Sequence, residues 1–351
     1  MAQGAAPSAT IVGAGVVGLA LAAELTARGV AARLIDRHGA PGAHGCSWWA
    51  GGMLAPHCER ESAEEPVVRL GALAADWWDR HAGGVVRQGS LVIAPTRDRR
   101  EIDRFARRTE GYELLDAEAI ATLEPDLAGR FQRALYFPTE AHLAPRQTLA
   151  RLLARLAEAG VTLEQDEIAP QDVPGTVFDC RGLAARDDLP GLRGVKGEML
   201  VLNCLDVSLA RPVRLIHPRM PLYIVPRGDG VFMLGATQIE ATERGRITAR
   251  SMLELLSAAY ALHPAFGEAE VAEIGVDARP AFASNLPRII RQGHVIHLNG
   301  LFRHGFLLAP ALAMQAADLW LKDERPELLH DDLRERGGDR GDGDHPLRAA
   351  E

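Results

Sequence analysis

Cysteine is scarce: four residues, Cys46, Cys58, Cys180 and Cys204, serve a chain of 351, and none forms a C-x-x-C pair. That density excludes a disulfide-stapled scaffold and points to a reducing, cytosolic (cytoplasmic) compartment. Zinc-ligand spacing is missing as well. His57 and Cys58 adjoin but no second pair follows at finger spacing, so no metal is expected. Basic charge is not in excess. A formal net charge of -8 argues against nonspecific grip on nucleic acid or on an anionic membrane. Long apolar runs are also absent. MAQGAAPSAT lacks a basic n-region, and the apolar stretch behind it is broken by Gly13, Gly15 and Gly18, so neither a signal peptide nor a membrane span is expected. No internal repeat occurs.

What is present is a globular composition, 47% hydrophobic and 25% charged, in a chain longer than one usual core. Two subdomains are therefore expected. Residues 326–351 turn charged and Gly-rich (ERGGDRGDGDH) and are expected to be a solvated, disordered tail.

Along the chain, Thr10 to Gly13 reads as a short strand. Val16 to Arg28 reads as a helix, with Leu19, Ala22, Ala23 and Leu25 at helical spacing and Gly29 as its stop. ARLID at 32–36 is a second strand, which completes a β-α-β unit. Leu149, Leu152, Leu153 and Leu156 form another helical face, closed by Gly160. VTLEQ and TVFDC then return to the first sheet. Between these visits GSLVIAPT, ALYFPTE, GEMLVLN, PLYIVPR and GVFMLGATQ look like strands, and the turn RGDG at 227–230 suggests antiparallel hairpins. A helix near 249–262, the strand GHVIHLNG and a final helix over about 310–322 follow.

The expected fold is α/β plus antiparallel β. A discontinuous Rossmann-like nucleotide-binding domain takes residues 1–84, 144–191 and 274–325, and an antiparallel-sheet substrate domain takes 85–143 and 192–273. Ligands of such folds sit at the carboxyl ends of the parallel strands.

G-A-G-V-V-G at 13–18 matches G-x-G-x-x-G after a strand and at a helix start. Gly13 allows the tight turn, Gly15 the approach of a pyrophosphate, and Gly18 close helix–strand packing. The helix N-terminus offers free N–H groups to the anion. Asp36, at the end of the second strand, can accept from ribose hydroxyls; its rival reading is a surface acid. The motif alone does not separate FAD from NAD.

The stretch GCSWWAGGMLAPHCERESAEEPVVRL at 45–70, DCRGL at 179–183, LYIVPR with GAT, ARP at 278–280 and GLFRHGFLLAP at 300–310 add a further signal. Together with the nucleotide unit, the chain resembles the D-amino-acid-oxidase-like flavoprotein superfamily. Within it, the glycine oxidases of thiamine biosynthesis (ThiO-type) match best. The resemblance covers nearly the whole chain except the tail. It implies noncovalent FAD, with Gly13, Gly15, Val16, Gly18, Asp36 and Arg37 at the ADP portion. Cys46, Ser47, Gly51, Gly52 and Met53 would follow the ribityl chain and ring, with Gly182 near the flavin and Ile168 toward the adenine. Arg303, His304, Gly305, Phe306 and Leu307 would line the final loop. That loop holds no cysteine, which argues against a covalent link. Trp48 and Trp49 read as core.

For the substrate, the resemblance implies Arg303, Arg279 and Tyr223. An arginine fork suits a carboxylate because it makes two parallel charge-assisted bonds. Duller readings stand beside these: Arg303 paired with a buried carboxylate, Arg279 clamping a loop, Tyr223 in the core, His304 as a packing histidine. Pro310 suits the first turn of the last helix, whose positive end could face the flavin. The chain departs from the family pattern at AFASNLPRI after ARP, and at Pro221, where some relatives carry a polar group. The implied activity is oxidation of a small amino acid, glycine first, to its imine, without a protein base. Oxygen is the acceptor, hydrogen peroxide the by-product and thiazole synthesis the destination. The rivals are a sarcosine, proline or D-amino acid oxidase, a quinone-linked dehydrogenase, and a noncatalytic flavin-binding protein. A homo-oligomer is compatible with all of them.

Overall fold

The computed structural model describes residues 8–95, 98–216 and 222–330. Its first unit is β1 (Ser8–Val12), α1 (Val16–Ala27) and β2 (Ala31–Asp36), with β1 and β2 parallel and Val12 opposite Ile35. Every residue of α1 from Val16 to Leu25 is buried. A helix covered on all sides needs no polar face, which is why VVGLALAA carries none. It packs against the last helix, Gly305–Lys322, and both belong to the larger core. Even Glu24 is buried, and it accepts from the Trp77 indole at 2.9 Å and from Arg28 at 2.8 Å. Gly29 ends α1 at φ 77, as its position suggested.

The first sheet has six strands in the order Arg288–Gln292, Val295–Asn299, Thr176–Asp179, β1, β2, Thr162–Gln165. All neighbours run parallel except the outermost pair, which is a hairpin. The register places Asp179 beside Val12, so the ends of β1, β2 and Thr176–Asp179 meet at one edge. Gly13 N–H donates to Ile35 O at 2.8 Å, and Cys180 N–H to Val12 O at 2.7 Å.

The second sheet has nine strands and is mixed, not purely antiparallel. Val213–Leu215 runs parallel to Ser90–Ile93. These strands lie far apart in sequence, so no tight turn dictates their direction. The hairpin expected at RGDG is present, Leu222–Gly228 against Val231–Gly235, with Asp229 at φ 49. The helix Ala249–Leu262 covers this sheet and closes a second apolar core. The strand Glu270–Ala281 pairs along Arg193–Asn203 for its full length. A boundary at residue 274 therefore cuts a continuous strand, and the second sheet extends to Ala281.

Two expectations near the C-terminus change. The tail does not begin at 326: Leu328 is buried, and its carbonyl accepts from Ile289 N–H at 2.7 Å. Residues 331–351 lie outside the described residues. The last helix starts at Gly305, so Pro310 lies inside it and not in its first turn. Proline has no N–H for the carbonyl four residues back, here that of Phe306. The Trp78 indole fills the gap, donating to Phe306 O at 2.7 Å. The helix tolerates its proline because a neighbouring helix supplies the missing donor.

Candidate active site

A cavity of about 390 Å³ runs from the Gly-rich turn to the second sheet. At the nucleotide end, Gly13 has φ 106, and a Cβ there would lie 2.6 Å from Cys180 O. A Cβ on Gly18 would collide with the Gly13 carbonyl. Gly18 thus serves helix–strand packing, and of the residues expected at the cofactor it alone does not line the cavity. Gly15, Val16, Asp36, Arg37 and Ile168 do. Asp36 accepts from Ala14 N–H and His38 N–H, each at 2.8 Å, and keeps lone pairs for a further donor. Ile168 packs against the small cluster of Val12, Val173, Val177 and Val295.

Cys46, Ser47, Gly51, Gly52, Met53 and Gly182 line the middle of the cavity. Ser47 Oγ accepts from Val16 N–H at 3.1 Å and so ties this segment to the start of α1. Gly52 has φ 70, and a Cβ there would meet the Leu143 carbonyl and the Pro145 ring. This glycine-walled slot, continuous with a helix N-terminus and a β2 carboxylate, fits a dinucleotide with a flat ring. Trp49 is buried with Met199 and Met233, and Arg146 stacks over Trp48 and Trp49 at 4.8 and 5.0 Å from the ring centroids. Both rings also border the cavity, so the core role holds without excluding contact.

At the far end Arg303, Arg279 and Tyr223 share the cavity wall. The tyrosine ring packs close against two glycines: a Cβ on Gly51 would lie 2.7 Å from it, and one on Gly235 2.8 Å. Glycine at both positions is what lets the ring sit there. Pro221, the departure two residues earlier, lies outside the described residues.

The two arginines differ in their partners. Arg303 Nη2 lies 2.6 Å from Glu59 Oε2 and donates to Ser62 Oγ at 2.7 Å. Arg279 Nη1 donates to Thr237 O at 3.1 Å, and no carboxylate pairs with Arg279 among the described residues. Burial pulls its guanidinium below the ordinary range. Of the two, Arg279 is the cation without a carboxylate partner among the described residues.

Glu59 organises the rest. It also receives Arg214 Nη2 at 2.6 Å and His304 Nε2 at 3.0 Å. Burial pushes its carboxyl up, but Arg303 and Arg214 outweigh this and hold it well below the usual range. The Arg303 Nε approach to His304 Nε2 is longer, 3.4 Å, so the Glu59 bond sets the tautomer and Nε2 carries the proton. His304 Nδ1 is then an acceptor with no partner among the described residues. Burial lowers the pKa of this imidazole. Gly305, Phe306 and Leu307 follow at the helix start and line the cavity, and Gly300, with φ 84, makes room for the Phe282 ring.

Sequence reasoning did not single out Glu59, Arg214 or Arg227. Charged residues read as solvated faces, and nothing local says that these three are turned inward. Only the sheets, which bring Arg214 opposite Tyr223 in register, reveal it. Among the described residues no group of three His, Cys, Asp or Glu could hold a metal, and no helix is long and apolar enough to cross a membrane.

The family described as FAD dependent oxidoreductase matches residues 8–319. A Rhizobium etli protein named "Putative thiamine biosynthesis oxidoreductase ThiO" is 57% identical over 318 residues, 90% of this chain and 97% of that protein. The glycine oxidase of Geobacillus kaustophilus is 28% identical over 364 residues, 92% of this chain and 94% of that one. Its crystal structure covers 95% of this chain and 99% of its own, with a TM-score of 0.76 at 26% identity. This chain belongs to the FAD dependent oxidoreductase family and is an FAD-dependent enzyme similar to ThiO and to glycine oxidase.

Proposed function

We propose that the enzyme oxidises a small amino acid, glycine first, to its imine, with release of hydrogen peroxide, and that the imine supplies thiamine thiazole synthesis. The observation that carries this reading is Arg279: a half-buried guanidinium, free of any carboxylate partner among the described residues, in the wall of the FAD cavity beside Tyr223. Such a cation needs an anion, and an amino acid brings one. The likeness to ThiO and to glycine oxidase favours the amine class and the thiamine role.

Arg279 takes the substrate carboxylate in its fork, and Arg303, held by Glu59, contributes positive potential beside it. Tyr223 covers the bound amino acid from the second sheet. The chain's work is orientation: it fixes the Cα–H bond and excludes water. FAD, when bound in this cavity, would supply the two-electron acceptor for the oxidation. No side chain need act as base if the amine arrives neutral. His304, with its one proton given to Glu59, is not free to donate a second.

Anaerobic mixing with glycine, sarcosine and D-alanine, with the flavin absorbance followed, tests the reading. Bleaching by glycine at the highest kcat/KM, followed by peroxide release in air, is the expected result. Silence with all three overturns the small-amino-acid assignment. Bleaching with slow reoxidation in air identifies a quinone-linked dehydrogenase instead.

A further inference from the structure

Arg227 is a second half-buried guanidinium without a carboxylate among the described residues, but it does not line the cavity. It spends its donors on backbone. Nη2 donates to Gly51 O at 2.7 Å and reaches Ala50 O at 3.5 Å, while Nη1 donates to Leu143 O at 3.0 Å. Nη2 also lies 3.3 Å from Met233 Sδ. Burial lowers its pKa to about 10, with Arg146 adding to the effect. Placing an unpaired cation here costs stability, so its geometry calls for an explanation.

The explanation lies in the peptide it grips. The Gly51–Gly52 bond is trans, so the Gly51 carbonyl and the Gly52 N–H point in opposite directions. Arg227 takes the carbonyl. On the other side of the turn, Gly52 O accepts from Leu143 N–H at 2.9 Å. The turn is thus held at two successive carbonyls, and the Gly52 N–H between them has no acceptor among the described residues. Gly51 and Gly52 themselves border the cavity. Glycine alone is free to turn a peptide either way, so without a clamp this pair would sample both orientations.

We propose that Arg227 is a positioning residue for the cofactor: it holds the Gly51 carbonyl turned out of the cavity so that the Gly52 N–H is presented to an acceptor atom of the flavin ring. The residue works through the backbone and does not touch FAD or substrate. The inference rests on bound FAD and not on which amine is oxidised, so it stands or falls separately from the glycine reading.

The test uses Arg227→Met and Arg227→Lys, each prepared as apoprotein and titrated with FAD, with the visible spectrum of the complex recorded. Methionine keeps the stem and removes the fork; lysine keeps the charge and loses the planar donor geometry. Arg227→Met is expected to raise the FAD dissociation constant about tenfold and to shift the visible flavin band, with the apoprotein melting temperature unchanged. Arg227→Lys is expected to fall between it and the wild type. Added guanidinium ion is expected to restore part of the affinity in Arg227→Met. A folded variant with wild-type FAD affinity and spectrum overturns the proposal. Loss of folding in both variants also overturns it, because Arg227 would then be a determinant of the fold and not of cofactor presentation.

Discussion

Replacing Arg279 by methionine separates two consequences that a structural arginine would not separate. In the structure one donor of Arg279 goes to Thr237 O and the rest of the fork has no carboxylate. A guanidinium has five donors, so enough remain to bind a carboxylate bidentately. Hydrogen bonds to a charged partner are worth about 1.5–3 kcal/mol each, so loss of a pair costs about 3–6 kcal/mol of substrate binding. That corresponds to a drop in kcat/KM for glycine of about 10²- to 10⁴-fold. The free protein should not suffer. Burial already depresses the Arg279 guanidinium, so an apolar side chain of similar length removes a desolvated charge. The assay pairs kcat/KM from anaerobic flavin reduction with the melting temperature of the FAD-loaded enzyme. Expected is a large kinetic loss with FAD retained and a melting temperature equal to or above the wild type. Arg303→Met serves as the contrast, with a smaller kinetic loss and a lower melting temperature, because Arg303 is already paired with Glu59. A kcat/KM within tenfold of wild type for Arg279→Met, or the reverse ranking of the two variants, refutes the reasoning.

Three further outcomes follow from the buried polar groups. Glu59→Gln leaves Arg214 and Arg303 without their carboxylate, which should cost about 3–5 kcal/mol in a denaturant titration at neutral pH. Because the folded Glu59 carboxyl is depressed, that stability is present above pH about 4.5 and is lost as pH falls through the folded value; the variant should lack this acid-side loss. Glu140 shows the opposite sign. Its buried carboxyl, which accepts from Cys58 N–H at 2.7 Å and from Ser90 Oγ, is pushed up to about 7 by burial. The penalty for ionising it is absent below pH about 4.5 and complete above about 7, so Glu140→Gln should gain up to about 3 kcal/mol relative to wild type across that window, read from urea midpoints. Trp78→Phe orphans the Phe306 carbonyl and should cost about 1–3 kcal/mol; adding Pro310→Ala restores a donor, so the double variant should be more stable than the sum of the singles predicts.

The nucleotide unit was legible because its determinants are local. A strand, a tight glycine turn, a helix start and an acid fall within one stretch of chain, and each is forced by backbone sterics or by free N–H groups. Gly18 could be assigned to packing from spacing alone, and the clash with the Gly13 carbonyl is its physical cause. The outlines of most strands and helices were legible for the same reason, through period and turn residues. Strand direction in the second sheet was not, since Val213–Leu215 and Ser90–Ile93 are joined by no turn that could report it. Nor was the start of the last helix: Pro310 marks a first turn only when no neighbour supplies its missing donor, and Trp78 does so from far away in sequence.

The sequence by itself marked the amino-terminal unit as a nucleotide site, because residue type and short spacing carry that chemistry, and its resemblance to flavoprotein oxidases made arginines near the carboxyl end the candidates to serve an anion. Which arginine is free to do so was decided only by the tertiary structure. Charge state and partnership depend on what lies within a few ångströms after folding, and Glu59, more than two hundred residues from Arg303, takes that side chain and leaves Arg279 open.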